Sequence, residues 1–138
     1  MWTYVQLTGA FLSPSGLLIA YGYAGAGIGR NNPRMQTVKN VGPLPCGFYT
    51  MNPPVDTKDH GPYVIWLTPD DSNLMFNRGD FGIHGDSIPH PGSASEGCII
   101  QPRFARERAW ESNDHRLQVI TGFDNNAEQV QDAAMGEN

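Results

Sequence analysis

Glycine and proline interrupt this chain so frequently that a bundle of long helices is excluded. Its 138 residues include 16 glycines and 11 prolines, and both residue types break helical periodicity. The segments between them are short and rich in aromatic and β-branched residues, which is typical of strands. We therefore predict a mainly β fold with one or two short helices, in a single domain over residues 1–122. The polar residues 123–138 have no apolar face to bury, and we predict that they form a tail.

Several segments can be assigned to particular elements. Residues 63–68 (YVIWLT) form an unbroken apolar run and predict a buried strand. The other predicted elements are a hairpin formed by residues 2–8 and 16–23, short strands at 36–41, 81–83, 99–100 and 116–121, and a helix over 104–112 that begins at Pro102. The glycine-rich residues 24–34 are predicted to form a surface loop, because no Lys-Ser/Thr pair follows them as in a phosphate-binding loop.

Charge and hydropathy limit the possible partners and location. The formal net charge is −5 at pH 7, so a basic surface for nucleic acid is not expected. The first residues lack the pattern of a secretory signal, and no segment approaches the roughly 18 apolar residues of a membrane span. We therefore expect a monomer that is made in the cytoplasm and does not insert into membranes. Its two cysteines, Cys46 and Cys98, are expected to remain thiols.

Residues 81–99 (FGIHGDSIPHPGSASEGCI) concentrate the reactive side chains. Cys98 is a candidate nucleophile and His84 its base, because a thiol with a pKa of about 8.5 is mostly protonated at pH 7 and needs a proton acceptor. His84 follows the apolar residues of a predicted strand, so the sheet can hold it rigidly. His90 competes for the same role but lies in a loop between two prolines. Gly97 lacks a Cβ atom, which allows a substrate to approach the backbone next to Cys98.

The remaining polar residues of this segment have more than one interpretation. Asp86 could orient an imidazole or cap a turn. Ser95 could donate a hydrogen bond inside a site or belong to a turn. The segment could also be a glycine-rich turn that carries an inert thiol, or part of a cell-wall-binding module in which Cys98 forms a disulfide with Cys46.

A metal site would use some of the same side chains. His84, His90 and Cys98 could supply three ligands and leave a fourth position open. Their spacing matches no compact zinc motif, so a metal-dependent amidase or peptidase is the less favoured alternative. No cofactor is expected for the thiol mechanism. The fourth histidine, His60, lies in the polar segment 52–62 and is predicted to be a solvated loop residue.

Several of these residues form motifs that resemble a known family. His84-Gly85 followed by Ser95-Glu96-Gly97-Cys98 resembles the His-Gly and Ser-x-Gly-Cys signature of L,D-transpeptidase catalytic domains, the YkuD-like fold. The motifs that resemble the small L,D-transpeptidase-like effectors of type VI secretion are NNP at 31–33, GPLPCGFY at 42–49, HGP at 60–62, FGIHGD at 81–86 and SEGCII at 95–100. Histidine precedes cysteine here, whereas papain-like and NlpC-type hydrolases have the opposite order.

The resemblance implies a β-sandwich-like catalytic domain that acts on peptidoglycan stem peptides. In such enzymes the cysteine attacks the carbonyl between the third residue, a diamino acid, and the terminal D-alanine, which leaves as a thioester forms. Water then completes an L,D-carboxypeptidase reaction, whereas a D-amino acid or a second stem completes a transpeptidase reaction. Carried over by position, Cys98 is the nucleophile and His84 the base, while Ser95 and Gly97 belong to the oxyanion and orienting groups.

The resemblance also implies a place of action. Peptidoglycan lies outside the cytoplasm, so an enzyme without a secretory signal needs a dedicated export route. We expect an antibacterial toxin that is exported by type VI secretion and acts in the periplasm of the target cell. A cognate immunity protein would protect the producing cell.

Two positions depart from the pattern of many cell-wall-remodelling members. Glu96 stands where those members have histidine, and Ile100 stands where they have arginine. The group that anchors the substrate carboxylate is therefore unassigned. The arginines that could replace it are Arg78, Arg103 and Arg106, because a guanidinium binds a carboxylate in bidentate geometry, although surface solubility would also explain each of them. The residues predicted to contact the substrate are Arg78, Asp86, His90 and Glu96.

Overall fold

The computed structural model describes residues 1–123, which form a mainly β domain. The strands of this part of the chain are β1 (Trp2–Val5), β2 (Ala10–Leu12), β3 (Leu18–Tyr21), β4 (Tyr23–Ala24), β5 (Gly47–Met51), β6 (Val55–Thr57), β7 (Gly61–Pro69), β8 (Gly82–His84), β9 (Ile99–Ile100) and β10 (Arg116–Ile120). The helical elements are α1 (Arg103–Glu111) and two short 3₁₀-helices at Gly27–Gly29 and Pro33–Met35. The predicted mainly β class with short helices is confirmed.

The strands form one mixed sheet in the order β3-β2-β1-β10-β5-β7-β8-β9-β4, with β6 paired to β7. Two of its pairs are parallel, β1 with β10 and β8 with β9. Parallel neighbours need a crossover of about a dozen residues or more. Residues 85–98 form that crossover between β8 and β9. It contains most of the predicted site residues and returns the chain beside the strand that ends at His84.

The sheet folds over on itself around one apolar core. Phe11 of β2 and Ile99 of β9 lie near opposite ends of the strand order, yet both are fully buried in the same cluster. Ala105 and Ala109 of α1 are fully buried there as well, so the helix covers part of the core. Burying each large apolar side chain contributes about 1.5–3 kcal/mol. This closure agrees with the β-sandwich-like architecture that the resemblance implied.

The first strands differ from the predicted hairpin. β1 ends at Val5, and the Gly9 N–H donates to the Val5 carbonyl at 2.8 Å, which closes a turn into β2. Gly9 has a φ of +77°, and a Cβ atom there would lie 1.9 Å from the Gly22 carbonyl oxygen. The strand that pairs with β3 is therefore β2, and β1 adds a further pairing to β10. The turn chemistry of a single glycine accounts for the difference.

The strand predicted at residues 36–41 is wrong. This segment forms successive turns, in which the Val38 N–H donates to the Met35 carbonyl at 2.9 Å. The Gln36 carbonyl accepts a hydrogen bond from the Arg78 side chain at 2.6 Å. Backbone groups that a strand would pair with a neighbour are thus satisfied locally and by a side chain.

The C-terminal part of the domain follows the prediction closely. The predicted helix is present as α1, and Pro102 is its N-cap residue. The predicted last strand is present as β10. No helix within residues 1–123 is long and apolar enough to cross a membrane. Of the predicted tail only Phe123 is described, and residues 124–138 lie outside the described part of the chain.

Candidate active site

β8 and β9 place His84 and Cys98 on the same face of the sheet. In this parallel pair Ile83 lies opposite Ile99, and both side chains are fully buried in the core. Because side chains alternate along a strand, His84 points to the other face. Cys98 directly precedes Ile99 and so shares that face, one diagonal step from His84. Diagonal neighbours have Cα atoms roughly 7–8 Å apart, a distance that an aromatic-sized side chain can span.

The His84 ring is oriented by the residue that follows it. Its Nδ1 lies 2.9 Å from the Gly85 carbonyl oxygen. A carbonyl can only accept, so in the neutral ring Nδ1 carries the proton and Nε2 keeps a lone pair. Burial lowers the pKa of His84, and the neighbouring His60 and Arg106 lower it further, against the raising effect of the Gly85 carbonyl. His84 is therefore a neutral imidazole at pH 7 with a basic nitrogen available.

His60 also belongs to this site, which corrects the prediction of a solvated loop residue. Its ring stacks on His84 with centroids 4.7 Å apart and an interplanar angle of 10°, and it contacts Trp66 at 5.4 Å. The tight connection between β6 and β7 brings His60 to this position. The only sequence signal was the HGP motif at the start of a buried strand, and no spacing rule connects it to His84.

Cys98 is held in a turn by the hydroxyl group of Ser95. The Ser95 Oγ accepts from the Gly25 N–H at 2.9 Å and the Gly97 N–H at 3.0 Å, and it donates to the Cys98 carbonyl at 2.6 Å. Ser95 is only 2% exposed. Its hydroxyl is therefore committed to the turn, and Ser95 orients Cys98 through the backbone.

Gly97 is required by its surroundings as well as by its conformation. Its φ is +144°, and a Cβ atom would lie 2.7 Å from both the Arg78 guanidinium and the Phe81 ring. The Gly97 carbonyl also accepts from the Leu44 N–H at 2.9 Å. A larger residue would displace the turn that presents Cys98.

Arg78 lies beneath this turn and does not reach solvent as a binding group. It is 7% exposed, so surface solubility does not explain it. Its Nη atoms donate to four backbone carbonyls, those of Gln36 at 2.6 Å, Pro43 at 2.9 Å, Gly42 at 2.8 Å and Glu96 at 3.3 Å. With these donors occupied, Arg78 joins the 36–43 segment to the Cys98 turn. The prediction that it contacts the substrate is replaced by this positioning role.

The thiol of Cys98 is half-buried and protonated in this environment. Burial raises its pKa, and the nearby Asp80 and Glu96 raise it further, whereas a backbone N–H of Gly82 and the charge of Arg78 lower it. Its Sγ donates to the Asp80 carbonyl at 3.7 Å. Within residues 1–123 no hydrogen bond joins this sulfur to His84, so the two groups share a face without being bonded.

Two other predicted site residues are placed in the crossover loop. Asp86 accepts hydrogen bonds from the Tyr23 hydroxyl at 2.7 Å, the Ser87 N–H at 2.8 Å and the Gly92 N–H at 3.1 Å. It therefore caps the loop, and these bonds, with the Arg30 charge, lower its pKa although partial burial raises it. His90 is exposed on the same loop.

The alternative metal site does not form. Among residues 1–123 no group of three or more His, Cys, Asp or Glu side chains is arranged to hold a metal ion. His90 lies on an exposed loop, while His84 is 3% exposed within the fold. Nor does a disulfide join the two cysteines in this part of the chain, because the Cys46 thiol donates to Gln6 Oε1 at 3.3 Å.

An open cavity of about 1150 Å³ extends from His84 along this face. Its lining includes His60, His84, Tyr23, Asp86, Gln101 and Arg106. Cys98 is not among the lining residues, so the cavity continues from the imidazole on the side away from the thiol. Its volume is within the range of a ligand site and large enough for a short peptide.

The other two candidate arginines differ in accessibility. Arg103 is exposed, donates to Glu107 at 3.0 Å and lies over the Tyr63 ring at 4.6 Å. Arg106 is 4% exposed, which excludes surface solubility as its explanation, and it lines the cavity. Their different exposure could not be read from the helix pattern, because it depends on where α1 packs against β8.

Fold and site together define a mainly β domain with a cysteine and a histidine on one sheet face beside an open cavity. The chain belongs to the Tlde1 domain family, whose model matches residues 19–122. This is a family of type VI secretion effectors that act on peptidoglycan. The predicted effector class is confirmed at this level. Neither a curated protein nor a solved structure matches the chain significantly.

Proposed function

We propose that this chain is a cysteine L,D-carboxypeptidase and D-amino acid exchange enzyme acting on peptidoglycan tetrapeptide stems. The observation that carries the proposal is the β8–β9 register, which puts the His84 imidazole and the Cys98 thiol on one face beside the cavity. Membership of a peptidoglycan-acting effector family supports the substrate class. Cys98 is the nucleophile and His84 is the general base.

The resting pair is neutral, which determines the first chemical step. Rotation of the Cys98 side chain exchanges its Asp80 carbonyl contact for His84 Nε2, which then takes the thiol proton as sulfur attacks. The sulfur forms a bond to the carbonyl carbon of the third stem residue. The bond from that carbon to the D-alanine nitrogen then breaks, and the imidazolium returns its proton to the departing amine. The products are a Cys98 thioester and free D-alanine.

The second step regenerates the thiol. Water or the amine of a D-amino acid attacks the thioester carbonyl and loses a proton to His84. The bond from carbon to sulfur breaks, and the sulfur regains a proton from the imidazolium. Water gives a tripeptide stem, whereas a D-amino acid gives an exchanged tetrapeptide. Both outcomes deplete the stems on which normal cross-linking depends.

Backbone donors next to the thiol stabilise the oxyanion. The Gly97 N–H is occupied by Ser95 Oγ, so the Cys98 N–H is the donor assigned to the substrate oxygen. Removing one such donor in other enzymes reduces turnover on the order of 10²-fold or more. Gly97 contributes by leaving space at this point, as its close contacts with Arg78 and Phe81 require.

The biological setting follows from the family. As a type VI effector, the protein is delivered into a rival cell, and we place its action in the periplasm, where the stems are accessible. A cognate immunity protein in the producer is the expected partner. It would block the cavity or the Cys98 turn, since either contact stops the reaction.

Digestion of a disaccharide tetrapeptide tests the proposal directly. The wild-type protein is expected to release D-alanine and a tripeptide product detectable by mass, and added D-amino acid is expected to yield an exchanged product. Cys98→Ala should abolish both, whereas Cys46→Ser, which keeps a donor for Gln6 Oε1, should retain them. Undiminished turnover by Cys98→Ala would refute the nucleophile assignment, and equal binding of sacculi without turnover would indicate a binding module instead.

A further inference from the structure

Arg106 is a buried guanidinium held at the wall of the cavity. Its Nε donates to the Gln101 carbonyl at 3.1 Å. Its Nη1 donates to the carbonyls of Pro62 at 2.9 Å and Tyr63 at 2.6 Å. These three bonds fix the plane of the guanidinium between α1 and the start of β7.

The remaining nitrogen of Arg106 has a different environment. Within the described part of the chain Nη2 makes no hydrogen bond. It lies against Gly85, where a Cβ atom would be 3.0 Å from it, and both residues line the cavity. A buried cationic nitrogen with two unused N–H groups, aimed into a cavity, is a binding site for an anion.

The position of Nη2 along β8 indicates which anion it binds. Cys98 is level with Gly82, then His84 follows, and Nη2 lies beyond it at Gly85. His84 protonates the leaving amine, so the leaving residue extends past the imidazole toward Arg106. Three residues of strand span about 10 Å. A carbonyl in attack range of the thiol, one extended residue and one hydrogen bond together span about the same length, whereas a second residue would add about 3.5 Å.

We propose that Arg106 binds the terminal α-carboxylate of the residue that leaves, and that this contact limits the enzyme to peptides ending one residue after the scissile bond. The inference rests on the proposed function. It makes Arg106 a specificity-determining residue, with tetrapeptide stems as substrates and pentapeptide stems excluded. Arg106 thereby takes the carboxylate-anchoring role that Ile100 cannot perform.

Binding to the inactive Cys98→Ala protein tests this contact independently of turnover. Calorimetry compares a tetrapeptide with its C-terminal amide, which differs only at the carboxylate. We expect the acid to bind on the order of 10- to 100-fold more tightly, as for other hydrogen bonds to charged groups. In Cys98→Ala/Arg106→Gln this preference should disappear, and a stem with lysine as third residue should still show it in the Cys98→Ala protein.

A second variant and a matched control separate this contact from folding. Gly85→Ala places a methyl group against Nη2 while leaving the other three bonds of Arg106 in place, so it should also reduce the preference for the acid. Arg103→Gln, on the same helix but exposed, should leave the preference unchanged. Equal binding of acid and amide by Cys98→Ala would overturn the inference, as would a preference that follows the diamino acid carboxylate. An acid preference without any turnover by the wild-type protein would keep the anchor and reject the proposed reaction.

Discussion

Replacing Ser95 by alanine is the most informative single change to the Cys98 turn. The Ser95 hydroxyl makes three hydrogen bonds, to Gly25, Gly97 and the Cys98 carbonyl, at 2.6–3.0 Å. A hydrogen bond contributes roughly 1 kcal/mol net, and a buried donor left without a partner costs about 1–3 kcal/mol. Because Ser95→Ala leaves two buried N–H groups without this acceptor, we expect the free energy of unfolding to fall by about 2–4 kcal/mol.

Urea denaturation and tetrapeptide turnover measure this effect together. The midpoint should move to lower urea with an unchanged slope, and kcat should fall on the order of 10²-fold because the thiol loses its fixed position. Ser15→Ala is the matched control, since its hydroxyl is exposed and bonds only the Ser13 hydroxyl, and it should change stability by less than about 0.5 kcal/mol. Unchanged stability and turnover in Ser95→Ala would show that this hydroxyl does not hold the turn.

Two further predictions concern the same side chains. Since the pKa of His84 is lowered, the acid limb of kcat/KM should have its midpoint below the ordinary histidine value of about 6.5, and stability should fall as pH decreases through that range, because the unfolded chain binds the proton more readily. A midpoint above 6.5 would contradict the neutral pair. Gly97→Ala should destabilise the domain by about 1–3 kcal/mol and remove activity, because its Cβ meets Arg78 and Phe81 at 2.7 Å. Thermal unfolding and the tetrapeptide assay check it, and wild-type values in both would refute the steric argument.

Much of this architecture could be predicted because the relevant signals are local. The apolar residues before His84 and after Cys98 predict two short strands, and these are β8 and β9. The alternation of Ile83 with His84 then sets which side chain faces the core. What the pattern could not provide was the parallel register between the two strands, because strand pairing depends on contacts distant in sequence.

The parts that sequence reasoning missed depend on loops and backbone carbonyls. His60 reaches His84 only through the β6–β7 connection, and no local pattern encodes a stack between residues that far apart. The partners of Arg78 are carbonyl oxygens, which every residue has, so its burial leaves no mark on composition or spacing. The predicted strand at 36–41 was wrong for the same reason, since one of those carbonyls, that of Gln36, is bonded to Arg78.

The covalent intermediate provides the most direct test of the central claim that Cys98 attacks the stem peptide. The wild-type protein is mixed briefly with disaccharide tetrapeptide, quenched in acid and weighed intact by mass spectrometry. We predict an adduct equal in mass to the substrate minus D-alanine, located on the peptide that contains Cys98 and absent from Cys98→Ala. Formation of tripeptide with no adduct, and at the same rate in Cys98→Ala, would contradict the account.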